Sequence, residues 1–102
     1  MASETEVEQE IIDKGLTAPR LTPEFIDSII CGVDYHVFEE SQMTVCCLTL
    51  RNGFNVIGES ACASPENFNA DVGRTISKTK AREKIWQLEG YLLKENLCKG
   101  EV

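Results

Sequence analysis

Residues 43–61 read MTVCCLTLRNGFNVIGESA, and the fold turns on this stretch. Met43 to Leu50 is rich in Thr, Val and Leu, the composition of a central β-strand. Arg51-Asn52-Gly53 follows, and Asn-Gly between two strand-like runs predicts a tight hairpin with positive φ values. Phe54 to Ala61 then returns as a second strand, in which Gly58 marks a bulge or a close approach of backbone. Upstream, Val33, Tyr35 and Val37 alternate with Asp34, His36 and Phe38, and Glu39-Glu40-Ser41-Gln42 is a turn. The three runs predict a three-stranded antiparallel meander.

Helical signals flank the meander. Thr22-Pro23-Glu24 combines a capping residue, Pro at the first helical position and an acid in the first turn. Phe25, Ile26, Ile29 and Ile30 give that helix an apolar side, and Gly32 is expected to end it. Nearer the N-terminus, Ser3 and Glu6 form a capping box and Gly15 a stop, with little apolar surface between them. Residues 1–18 are therefore expected to be a loosely docked acidic arm, and residues 19–102 a single α+β domain. After Ser64-Pro65-Glu66, the pattern predicts one long helix from about Asn69 to Leu97, with a break near Gly73. Its apolar residues form two stripes. Ile85, Leu88 and Leu92 make one, and Trp86, Leu93 and Leu97 the other. The sheet can cover one stripe, so the second is expected to meet the N-terminal helix or another copy in a homo-oligomer, most simply a dimer, with Trp86 or Leu93 in the contact.

Composition narrows the function. The chain has 102 residues, 42% hydrophobic and 26% charged, which is one domain with one modest core. No apolar run approaches the ~20 residues of a membrane span. The acidic start Met1-Ala2-Ser3-Glu4 is unlike a secretory signal, so a small, soluble, intracellular protein is expected, with no membrane partner. The 5 Cys include no C-x-x-C pair and only 1 His accompanies them, so they read as small buried hydrophobes, and neither metal nor cofactor is expected. The net charge of −7 argues against duplex DNA as a partner. Charge is uneven, however. Glu4, Glu6, Glu8, Glu10 and Asp13 against Lys14 leave residues 1–14 at −4, whereas Arg74, Lys78, Lys80, Arg82 and Lys84 against Glu83 leave residues 74–84 at +4.

Catalytic patterns find little support. Ser60 lies in Gly58-Glu59-Ser60-Ala61, which lacks the second Gly of a nucleophile elbow, and His36 on another strand is its only His partner. Neither G-x-G-x-x-G nor G-x-x-x-x-G-K occurs. A protein that is not an enzyme is expected. Anion binding fares better: Arg74, Lys78 and Arg82 at i, i+4, i+8 share one side of a helix, with Phe54 and Trp86 as stacking platforms for a base. The same bases can instead form a solvated face paired with the acidic arm.

A resemblance emerges from motifs in order along the chain. They are Leu21-Thr22-Pro23, Thr44-Val45-Cys46, Leu48-Thr49-Leu50, Asn52-Gly53-Phe54, Gly58-Glu59-Ser60-Ala61, Asn67-Phe68, Gly73-Arg74 and Ala81-Arg82, ending in Lys84-Ile85-Trp86 and Leu88-Glu89-Gly90-Tyr91-Leu92-Leu93. Over residues 21–93 the chain resembles the small tailed-phage protein family named after gene products 49 and 66. More distantly it is similar to phage anti-Thoeris proteins of the first class, which are oligomeric sponges that bind a cyclic ADP-ribose signal without cleaving it. That resemblance implies a phage protein that sequesters a cyclic adenine-nucleotide immune signal and so counters host defence. Phe54 would stack on adenine, Arg74 and Arg82 would clamp phosphates, and Asn67 would bond base or ribose. Two other readings stand beside it: an acidic module that inhibits a host protein, and a structural or accessory phage protein.

Overall fold

The computed structural model describes residues 3–101. In chain order the elements are α1 (Glu4–Asp13), α2 (Pro23–Ser28), β1 (Ile30–Val37), β2 (Met43–Leu50), β3 (Asn55–Ala61), a 3-10 turn (Pro65–Asn67) and α3 (Ala70–Lys99). The strands form an antiparallel sheet in the order β1-β2-β3, and α3 lies across one face of it. This is the expected α+β arrangement of a three-stranded meander with a short N-terminal helix and a long C-terminal helix.

Local chemistry explains the boundaries. The Thr22 hydroxyl accepts from the Phe25 amide at 3.1 Å, and Pro23 opens α2 where a missing N–H is harmless. The helix does not run to Gly32 as expected. It stops at Ser28, and the β-branched Ile30 already belongs to β1, leaving Gly32 inside the strand beside an irregularity of register. The hairpin also differs in detail. Gly53 alone takes a positive φ, of 90°, after a turn closed by its amide on the Leu50 carbonyl, and the Asn52 side chain accepts from the Phe54 amide. A three-residue loop of this kind needs one left-handed residue rather than two.

Packing is organised by β2 and α3. Thr44, Cys46, Leu48 and Leu50 alternate inward on β2, and Gly73, Ser77, Ala81 and Ile85 recur every four residues on the covered face of α3. No break occurs at Gly73. The helix is continuous there because the absent side chain lets it settle on Thr44, whose Oγ1 would lie 2.7 Å from an added Cβ. Ile26 of α2 and Ile29, which caps that helix, complete the core with Leu48, Val56 and Ile85. The 30 residues of α3 span about 45 Å, against about 27 Å for an eight-residue strand. The C-terminal part of α3 is therefore incompletely covered by the sheet, and Leu88, Tyr91, Leu92 and Leu97 are exposed. Of the cysteines, Cys46 alone is buried and Cys31 and Cys98 are exposed, which corrects their reading as small buried hydrophobes.

Candidate functional site

A cleft of about 570 Å³ runs between the free edge of β3 and the outer side of α3. Its strand side is Phe54, Asn55, Val56 and Ile57, and its helix side is Lys84, Gln87, Leu88 and Tyr91. The helical four stand at i, i+3, i+4 and i+7, which places them on one face. Phe54 is held at the mouth by the hairpin and is 55% exposed. Tyr91 is 74% exposed on the facing helix, so two aromatic rings flank one opening. Lys84 reaches across and donates its Nζ to the Ile57 carbonyl, a group that no strand pairs on that edge. The cleft thus offers aromatic surface, two amide side chains and one ammonium group. That set suits a planar ring carrying an anionic substituent.

The four residues singled out from the sequence do not share this space. Phe54 lines the cleft. Asn67, in the 3-10 turn, lines a separate cavity of about 100 Å³ with Gln42, Ser60 and Gly73. Arg74 is paired with Asp71 one turn earlier in α3. Arg82 is the most committed of them. Its Nε donates to Asp27 at 2.9 Å, its Nη2 to the Pro23 carbonyl at 3.2 Å and its Nη1 to Glu4. Burial works against the Arg82 charge, and the hydrogen bonds to Glu4 and Asp27 outweigh it, so its pKa is raised. The i, i+4, i+8 run of Arg74, Lys78 and Arg82 faces away from Phe54, because Lys84, Gln87 and Leu88 occupy the side of α3 that meets β3.

Trp86 is likewise turned toward the arm, where its Nε1 donates to Glu4 at 3.3 Å. Arg20 clasps Glu8 with both terminal nitrogens, at 2.7 and 2.9 Å, and this holds the Glu8 carboxyl below the usual carboxylate range. The arm therefore meets the body through carboxylate–guanidinium contacts while burying none of its own residues. Sequence reasoning missed Lys84, Gln87 and Tyr91 as a set. The signal was their helical spacing, obscured because Leu88 was assigned to the covered stripe with Ile85, whereas it is 43% exposed.

The model of the family described as "Phage protein (N4 Gp49/phage Sf6 gene 66) family" matches residues 21–97. The chain belongs to this phage protein family. No curated protein and no solved structure matches it. The family match takes in the sheet, α2, the cleft and most of α3, and it leaves α1 outside.

Proposed function

We propose that this phage protein acts by binding rather than by catalysis, and that the cleft between β3 and α3 holds a small planar anion of the adenine-nucleotide type. The observation that carries this reading is the pair of exposed rings, Phe54 and Tyr91, on the cleft that also presents Lys84 and Gln87. A base stacks on aromatic faces, an amide reads its polar edge and an ammonium neutralises a phosphate. The resemblance to anti-Thoeris sponges supports a cyclic ADP-ribose type of ligand, held intact and withdrawn from host defence in the host cytoplasm. The exposed apolar residues Leu92 and Leu97 near the end of α3 support assembly with further copies of the chain. An acidic inhibitor of host proteins is less well supported, since Glu4 and Glu8 of the arm are spent on the chain's own Arg82 and Arg20.

A thermal-shift panel of cyclic and linear adenine nucleotides tests the reading. Ligand at a hundredfold excess over its dissociation constant stabilises the native state by about 2.7 kcal/mol, several degrees for a domain of this size. The ligand released on denaturation should be chemically unchanged. A flat panel, or a ligand consumed on incubation, overturns the reading.

A further inference from the structure

On the opposite side of α3 from the cleft, two donors converge on one oxygen. Arg82 Nη1 and Trp86 Nε1 both reach Oε2 of Glu4. The receptor is prearranged without the arm, because Asp27 and the Pro23 carbonyl fix the guanidinium from α2. Withdrawal of Glu4 would leave Arg82 still paired with Asp27. A second cation, Arg20, stands ready for a second carboxylate and now holds Glu8, one helical turn beyond Glu4.

Between these polar anchors the arm fits poorly. An open groove of about 300 Å³ remains beside it, lined by Val7 and Ile11 of α1 and by Leu21, Pro23 and Trp86 of the body. Val7 stays 44% exposed although it points to this apolar floor. The apolar floor is thus only partly covered, and α1 is an undersized occupant of the surface it lies on.

We propose that this surface is a docking site for acidic amphipathic helices of a protein partner, and that α1 occupies it as a displaceable placeholder. Charge complementarity specifies the partner. It presents two carboxylates one turn apart to Arg82 and Arg20, and between them an apolar residue larger than Val to fill the space against Leu21, Pro23 and Trp86. This inference does not rest on the cleft described above.

The probe is a labelled peptide of residues 3–14, and its Val7→Leu version, titrated into the full-length protein and followed by anisotropy. Glu4→Gln/Glu8→Gln in the full chain loosens the resident arm and should bind the peptide at least tenfold more tightly than the wild type does. Val7→Leu in the peptide should tighten binding a further several-fold. Adding Arg82→Gln to the loosened chain should abolish the gain, and Arg20→Gln, on the linker, provides the same loss if the former fails to fold. Equal affinity for wild type and loosened chain, or no saturable binding to the loosened chain, overturns the proposal. So does inorganic pyrophosphate that displaces the peptide at matched ionic strength when sodium chloride does not, since the site would then belong to small phosphate anions.

Discussion

Gly58 of β3 and Ala81 of α3 meet backbone to backbone. A Cβ on Gly58 would lie 2.3 Å from the Ala81 nitrogen and 2.2 Å from the Ser77 carbonyl oxygen. The helix rests this low on the sheet because small residues face each other across the contact, and that depth sets the angle at which α3 meets the edge of β3. Gly58→Ala should therefore destabilise by at least about 2 kcal/mol, toward the upper end of overpacking costs, since backbone cannot swing aside as a side chain does. Chemical denaturation should show a lower midpoint with an unchanged slope. A midpoint within error of the parent would mean that the contact is looser than described.

Beneath the same helix, Thr44 is 1% exposed and its hydroxyl finds no partner among the described residues. A buried unpaired hydroxyl costs about 1–3 kcal/mol, and Val reproduces the shape of Thr without it. Thr44→Val is expected to stabilise by about 1 kcal/mol, a rise of several degrees in Tm. Differential scanning calorimetry on the pair decides it, and a lower Tm for the variant counts against the packing of Gly73 on Thr44.

How much of this was legible beforehand depends on range. The Thr22-Pro23 cap, the alternation through Thr44, Cys46, Leu48 and Leu50, and the turn at Gly53 are local, and each follows from residues within a few positions. Gly73 misled because a glycine in a helix reads as a break until the strand beneath it is known. At the site, Phe54 was visible as an aromatic beside a hairpin, whereas Tyr91 was one more residue in an apolar run. The partners of Arg82 lie 55 and 78 residues away, at Asp27 and Glu4. No spacing rule could tell a phosphate clamp from a tie between helices, although pairing with the acidic arm was the bland alternative and is what the structure contains.

The arm's attachment should depend on pH. The hydrogen bonds from Arg20 lower the Glu8 pKa below its ordinary value of 4.5. A carboxylate with a depressed folded pKa contributes fully above its unfolded value, and that contribution fades as pH falls through the folded one. Docking of α1 should thus hold from neutral pH down to about 4.5 and loosen below it. Trp86, the only Trp, reports on this directly through its contact with Glu4. Its emission should shift on acidification before global unfolding by circular dichroism, and Glu8→Gln should already be shifted at pH 7. Coincident transitions in the wild type would show that the arm is part of the cooperative fold.

Phe54 and Arg82 should behave in opposite ways, and together they separate a ligand site from a structural tie. Phe54 is more than half exposed, so Phe54→Ala removes stacking surface from the cleft while leaving the core of Leu48, Val56 and Ile85 intact. Base–aromatic stacking contributes about 1–3 kcal/mol, so nucleotide affinity should fall by roughly five- to a hundredfold at nearly unchanged Tm. Lys84→Ala should produce a smaller loss that shrinks as salt is added, because its ammonium acts as a screened point charge. The Arg82 side chain is only 17% exposed and joins α1, α2 and α3. Arg82→Ala should cost about 1–2 kcal/mol of stability, through charged hydrogen bonds that are partly shielded from water, yet leave affinity at the cleft unchanged. Arg82→Lys should recover part of the stability only, since an ammonium cannot serve Glu4, Asp27 and the Pro23 carbonyl with one planar fork. Calorimetric titration of a nucleotide into the variants checks all of this at once. If Arg82→Ala abolishes binding and Phe54→Ala does not, the ligand sits on the basic side of α3 and the cleft at β3 is not its site.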